Sequence, residues 1–384
     1  MKKILFLANT FPVDQKLSSG VFNFNAAKQL SKVCDLTIIH LRAWHPKRKF
    51  IEYKSINGLN FICFSFPFRP VRNNFLTGFQ LFIYAFFLRI FLSNLLNKQD
   101  IIHSVGASFS GVVGAFLSKK LNKPHIAQCI GTDVNVTLVS QKDSFFYSVM
   151  KNHVDIFTTN SYALEKQVIK LYPRKTIKTI YRGVDLNFFD LKNDHSKVDN
   201  KIILAYIGGL AQRSEHFTGR DYKGGITLLK AWLNLKEFNN IELNFAGPEV
   251  SEKLVNEIIN KDCKKFNIKV LGNLTRLQVK ELFQTADIVV IPSWLEGLPN
   301  AGMEALASSC AVIASDTGGI PELINENGYL FTPGDTKLLS ELIKKLISSP
   351  EKLREFKVNS RLLSERKFNS SQFSKQYCNL YEEI

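Results

Sequence analysis

The chain has 384 residues, room for two domains of ordinary size, and its 45% hydrophobic and 22% charged content excludes a disordered or fibrous protein. Its net charge of +16 asks for an anionic partner, either a phosphorylated ligand or an anionic membrane; nucleic acid is not expected, because no basic–aromatic platform or known signature is present. The six cysteines stand at no metal-ligand or redox spacing, which excludes a disulfide framework and suits buried thiols in a reducing, cytoplasmic setting.

From the N-terminus, an apolar run over residues 3–8 reads as a first core strand; it is too short for a signal peptide. Further strands are expected at 35–40, 60–66, 100–103, 125–129, 155–158 and 177–181, with helices at 21–33, 75–97, 110–121, 144–152 and 163–171. A polar run over 190–200 reads as a linker. The pattern then restarts, with strands at 202–207, 241–246, 268–271, 287–291 and 311–314. Thr275 and Gln278 have capping-box spacing. Helices at 337–347, 351–366 and 371–383 close the chain.

Strand–helix alternation predicts an α/β protein with two facing Rossmann-like doubly wound parallel sheets and a ligand in the cleft between them. The expected divisions are an acceptor-binding domain at 1–190, a linker at 191–200, a nucleotide-binding domain at 201–366, and a C-terminal helix at 367–384 that crosses back to the first domain.

The richest stretch is the strand–loop–helix junction that carries Glu296 and, eight positions on, Glu304, with Gly297, Pro299 and Gly302 between them. Gly297 and Pro299 fix a tight loop, and Asn300 reads as the helix N-cap. The N–H groups near Ala301, Gly302 and Met303 would then face an anion, and Gly302, with no side chain, would let a phosphate approach. Glu304 can accept from a ribose diol and Glu296 from a second sugar, although a glutamate in a first helical turn also needs no more reason than the helix dipole. A second strand–Gly-Gly junction follows at Gly318-Gly319. Upstream, Gly208-Gly209 ends a strand and Lys223-Gly224-Gly225 opens a helix.

With these words in place, the chain resembles the retaining family 4 glycosyltransferases of the GT-B fold, which carry a Glu-x7-Glu signature and include capsule, exopolysaccharide and teichuronic-acid enzymes. The resemblance implies that Glu296 contacts the donor sugar, Glu304 the ribose and Lys223 the diphosphate. It implies a UDP-sugar or another nucleoside diphosphate sugar as donor, a surface or lipid-linked glycan as acceptor, and no metal or other cofactor. A nucleotide-sugar epimerase or hydrolase on the same fold is the alternative. Where the family writes Gly-Arg after the first strand of this domain, this chain has Gly208-Gly209 and an insertion over 211–222 holding Arg213 and Arg220. Arg220 is the expected replacement cation, against a reading as a solvated loop residue.

In the first half, Gly20 opens a helix after strand one, either as a donor-diphosphate contact or as a turn residue. Ile130-Gly131-Thr132-Asp133 stands where the family writes His-Gly-Ser-Asp, so the family's histidine is absent. Asp133 is then a catalytic candidate toward the acceptor hydroxyl, or a structural helix cap. His103 reads as a strand-end core residue. Arg182, in place of the family's Asn in Arg182-Gly183-Val184-Asp185, either adds a cation over the phosphates or caps the turn. Finally, the phenylalanine-rich run over 75–96 is interrupted by Gln80, Arg89, Ser93 and Asn94, so it reads as a buried helix or, with Lys47, Arg48, Lys49, Lys54, Arg69 and Arg72 nearby, as a peripheral contact with an anionic inner leaflet.

Overall fold

The computed structural model describes residues 1–14, 20–68, 74–138, 145–190, 201–210 and 221–384. They form two compact units, Met1–Arg182 with Ser371–Ile384, and Gly183–Ser370. The expected linker at 191–200, together with Arg69, Arg72, Arg213 and Arg220, lies outside the described residues.

The first unit runs β1 (Lys3–Ala8), α1 (Val21–Leu30), β2 (Asp35–Ala43), β3 (Ile51–Ile56), β4 (Leu59–Phe66), α2 (Asn74–Phe91), α3 (Ser93–Leu96), β5 (Ile101–Val105) and α4 (Phe109–Leu121). It continues with β6 (His125–Cys129), a π-helix (Asp133–Leu138), α5 (Phe145–His153), β7 (Ile156–Thr159), α6 (Tyr162–Leu171) and β8 (Thr176–Thr179). The strand order is β3-β4-β2-β1-β5-β6-β7-β8. Every pairing is parallel except β3 with β4. A strand covered on both faces needs an unbroken apolar run, and β1 supplies one: Ile4 to Ala8 have no exposed surface.

One face of the sheet packs Leu5 and Leu7 with Leu81, Tyr84 and Leu88 of α2 and Val112 and Val113 of α4. The other packs Ile4 and Phe6 with Phe24 of α1. That second face also receives Phe373, Tyr377, Leu380 and Tyr381 of the last helix, as expected for a C-terminal helix returning to this unit.

Two expectations are corrected here. β3 was not anticipated, although Asn57-Gly58, with φ of 48° and 78°, is the left-handed pair that a two-residue hairpin demands. The long apolar helix breaks at Leu92, whose φ of −121° separates α2 from α3.

The second unit runs β9 (Ile202–Ile207), α7 (Gly225–Trp232), β10 (Ile241–Ala246), α8 (Glu252–Ile259), β11 (Ile268–Gly272), α9 (Arg276–Thr285), β12 (Ile288–Ile291) and α10 (Asn300–Ala307). Then follow β13 (Ala311–Ser315), β14 (Gly328–Phe331), α11 (Thr336–Ile347) and α12 (Pro350–Lys367), before the chain's final helix α13 (Ser370–Glu382). All six strands are parallel, in the order β11-β10-β9-β12-β13-β14. The capping box forms at Thr275 and Gln278 as expected. The sheet grows from β9 outward to β11, then jumps back to β12. The loops leaving β9 and β12 therefore part at a topological switch point, the place where open α/β sheets bind ligands.

Candidate active site

The loop after β12 carries Glu296 over this switch point, and its backbone is held from β13. The Gly319 N–H donates to the Glu296 carbonyl at 3.2 Å. Gly318 has φ of 54°, and a Cβ there would lie 2.0 Å from the same oxygen. The second Gly-Gly junction thus exists so that a backbone can pass against Glu296. Thr317 Oγ1 donates to the Trp294 carbonyl at 3.1 Å, and Ser315 Oγ to that of Ser293. The Glu296 carboxylate, 13% exposed, is ion-paired with Lys223 Nζ, whose side chain is 40% exposed. Ser293 Oγ donates to it weakly at 3.4 Å.

Lys223 reaches Glu296 because its own loop is tied to the same place. Gly224 is left-handed, with φ of 73°, and a Cβ on it would stand 1.9 Å from the Pro292 carbonyl oxygen. The Trp294 N–H donates to the Tyr222 carbonyl at 3.0 Å. Buried Asp221 caps α7 from below by accepting from the Ile226 N–H. Burial pushes its carboxyl above the usual range, while the N–H groups of Ile226, Gly224 and Lys223 pull it back. Gly208 and Gly209 adjoin this loop through Tyr206, whose hydroxyl lies 3.3 Å from the Gly209 carbonyl and 3.4 Å from that of Lys223. Gly208 is glycine for space: its Cβ would fall 2.1 Å from the Tyr206 hydroxyl, and a Cβ on Gly247 would fall 1.2 Å from its carbonyl oxygen.

At the start of α10 the structure corrects two readings. Pro299, not Asn300, is the N-cap, and no side chain caps the helix; Asn300 is its first residue. The proline ring fixes φ there and removes a donor. The Gly302 and Met303 N–H groups both turn to the Pro299 carbonyl, at 3.1 and 3.4 Å. Among the described residues this leaves the Asn300 and Ala301 N–H groups as the open donors. Gly302 does not clear a path for an anion. Its missing Cβ would lie 2.2 Å from Leu323 Cδ1 and 2.9 Å from Ile291 Cδ1, so core packing sets the glycine.

Glu304 sits one turn in, partly buried. Burial pushes its carboxyl up to about 7 against the pull of the Arg276 guanidinium. Arg276, at the start of α9, stacks 4.6 Å from the centre of the Phe188 ring.

The first unit is built differently. Gly20 takes φ of 72° ahead of α1, and a Cβ would lie 2.6 Å from the Phe11 backbone, which meets the turn reading. Its carbonyl accepts from Asn23 and Phe24, and no side chain caps the helix. Asp133 is buried, and both its oxygens accept backbone N–H groups: Ala107 at 2.7 Å, Gly131 at 2.8 Å and Ile130 at 3.0 Å. Burial raises its pKa while these donors, with Val134, oppose the rise.

Ile130 is 36% exposed on the loop where the family's histidine would stand. His103 is a core residue, as expected. Its Nδ1 lies 2.6 Å from the Tyr381 hydroxyl, its ring stacks on Tyr377, and burial pushes its pKa down to about 3. Arg182 Nη2 donates to Asn23 Oδ1 at 3.0 Å, which brings its charge beside the first turn of α1.

The structure thus brings Glu296, Lys223, Gly208, Gly209, Asn300 and Ala301 together around one switch point. Sequence reading missed Asp221, Ser293 and Arg276. A signal existed only for Asp221, which stands ahead of Lys-Gly-Gly where a helix must be capped.

Solved structures share the whole architecture. Sucrose-phosphate synthase from Thermosynechococcus elongatus matches with a TM-score of 0.75 at 18% identity, covering 100% of this chain and 99% of that one. Anabaena HepE, solved in complex with UDP-glucose, matches with a TM-score of 0.71 at 18% identity over 100% of both chains. The protein therefore has the GT-B glycosyltransferase fold.

Residues 19–188 match the profile described as Glycosyltransferase Family 4, and residues 190–363 that of Glycosyl transferases group 1. The chain belongs to glycosyltransferase family 4. TuaC of Bacillus subtilis, named as a teichuronic acid biosynthesis glycosyltransferase, is 26% identical over 359 residues, 89% of this chain and 88% of that protein. Protein CapJ of Staphylococcus aureus is 28% identical over 268 residues, 67% of this chain and 65% of that protein.

Proposed function

We propose that this glycosyltransferase moves a hexosyl group, with retention and without a metal, from a UDP-sugar to a hydroxyl of a surface or lipid-linked glycan. The observation that carries the reading is the Glu296–Lys223 pair over the β9/β12 switch point, beside the open N–H groups at the start of α10. On diphosphate binding, Lys223 turns from Glu296 to the phosphates. Glu296 is released to accept from donor-sugar hydroxyls, and the Asn300 and Ala301 N–H groups add a fixed positive field. Glu304, ionised, accepts from the ribose diol. The bond from the anomeric carbon to the leaving phosphate breaks, the acceptor oxygen bonds to that carbon, and the leaving phosphate takes the acceptor proton. Asp133, with its oxygens occupied, positions the Gly131 loop that meets the acceptor. Arg220 remains the candidate second cation.

Polysaccharide enzymes among the relatives and the UDP-glucose complex of HepE support the choice of donor and acceptor. The test is incubation with UDP-sugars with and without a lipid-linked glycan acceptor, followed by product analysis. Acceptor-dependent UDP release with a new α-linkage is expected. Donor conversion that ignores acceptor would replace this reading with the epimerase or hydrolase one.

A further inference from the structure

Local structure does not explain Arg276. It opens α9 at the first helical position, where the helix dipole disfavours a cation, and no acid follows in the first turn. Its guanidinium lies 4.6 Å from the centre of the Phe188 ring and 5.8 Å from that of Phe189. Lys280, one turn on, lies 5.5 Å from the Phe188 ring. Phe188 is presented by a built turn: the Asn187 and Phe188 N–H groups donate to Asp185 Oδ1 at 3.1 and 3.2 Å. Among the described residues, no hydrogen bond or ion pair engages the Arg276 guanidinium or the Glu304 carboxylate; rings and charge alone place the arginine.

α9 follows β11 and α10 follows β12 in one parallel sheet, so both helices start at the edge where ligands bind. The two helices pack together. Burial lowers the Arg276 pKa against the pull of Glu304 and Asp185, and burial raises that of Glu304 against the pull of Arg276. Charges elsewhere around α10 turn to other partners. Lys280 pairs with Asp190 at 2.7 Å and Lys357 with Asp287 at 2.9 Å, while Glu281 is exposed. Arg361 donates to the Ala307 and Phe189 carbonyls and pairs with Glu365, and Lys367 faces Glu322. Arg276 is thus the cation that acts on Glu304.

We propose that Arg276 is a positioning residue of the donor site: seated on the Phe188 ring and shared between Asp185 and Glu304, its guanidinium holds Glu304 as a charged acceptor for the ribose diol. A buried carboxylate with no cation near it takes up a proton, and one of its oxygens then becomes a donor. A hydrogen-bonded cation would prevent this but would occupy the oxygens, as Lys223 does at Glu296. A guanidinium stacked on a ring supplies the charge and leaves both Glu304 oxygens open for two hydroxyls. The inference rests on the reading of Glu304 as the ribose contact, and E304Q separates failure of the one from failure of the other.

The experiment is calorimetric titration of the full chain with UDP between pH 6 and 9. Affinities are read as ratios to E304Q at each pH, which cancels the titration of UDP's own phosphate. Wild type should bind UDP roughly tenfold tighter than E304Q at pH 9, a margin that narrows as pH falls through 7. R276M should weaken UDP about fivefold at pH 7, and the deficit should close by pH 9, where Glu304 ionises without help. R276K, which keeps the charge, should recover part of the loss. R276M added to E304Q should change nothing further. Melting temperatures without ligand read the folding of each variant separately. A deficit in R276M that is equal at every pH, or that persists in the E304Q background, would overturn the proposal. So would weakened binding in E304Q with none in R276M, which leaves the ribose reading standing. E304Q binding as wild type does at every pH would remove the ribose reading and this proposal with it.

Discussion

Two carboxylates follow parallel strands, Glu296 after β12, beside the first strand of its sheet, and Asp133 after β6, one strand further out in the other sheet, and their surroundings have opposite character. Asp133 is sealed and accepts from the N–H groups of Ala107, Ile130 and Gly131. Its oxygens have no capacity left for a passing hydroxyl. Glu296 holds one oppositely charged partner, the part-exposed Lys223 ammonium, and that partner has a stronger anion to choose when a diphosphate arrives. A carboxylate bound by side chains can exchange partners, whereas one bound by rigid backbone shapes a loop. Position at the sheet edge does not separate these roles; the partners do.

The largest effect that would sharpen the contrast is on turnover. Glu296→Ala and Lys223→Ala should each lower kcat/KM by roughly a hundred- to a thousandfold in a UDP-release assay, while melting temperature moves little. Near-normal activity in either would place the chemistry elsewhere.

Asp133→Ala should do the reverse in kind. It strands three backbone N–H groups, those of Ala107 and Gly131 buried, so the first unit should lose about 2–4 kcal/mol of stability in denaturant titration. Intact stability with lost turnover would return Asp133 to the catalytic group.

A pH experiment probes the second glutamate. The folded pKa of Glu304, about 7, lies above its ordinary 4.5. The folded state therefore holds this proton more tightly than the unfolded one. Its contribution to stability is full at low pH and falls as pH rises through that interval. Glu304→Gln should flatten this dependence in melting curves. Donor binding needs the ionised form, so the donor KM should rise as pH drops below about 7; a KM flat from pH 6 to 8 would break the assignment to the ribose diol.

The smallest effect concerns the helix start between the glutamates. Because Asn300 makes no capping bond, Asn300→Ala should cost less than about 0.5 kcal/mol, where loss of a true cap would cost about 1 kcal/mol.

Much of the fold was legible because periodicity reports burial. The all-buried run of β1 and the capping box at Thr275 are local facts that a sequence states directly. The hairpin at Asn57-Gly58 was equally legible and was passed over, since β3 lies at the sheet edge and carries mixed polarity. The site was half legible. The motif marked Glu296, Glu304 and Lys223, but glycine patterns could not say whether a missing side chain faces a ligand or a neighbour. Gly302 faces Leu323, and Gly208 faces Tyr206.

By itself, then, the sequence determined two restarting α/β patterns, the family and the residue types at the site, because each depends on spacing along the chain. Only the tertiary structure decided which partners those residues keep. Lys223 meets Glu296 across 73 positions, Asp133 is enclosed by backbone from three residues, and the apolar residues of α2 divide between core (Leu81, Tyr84, Leu88) and solvent (Phe79, Phe82, Phe86). Such choices turn on which strands lie side by side and which helix face finds a sheet beneath it, and no local pattern encodes that.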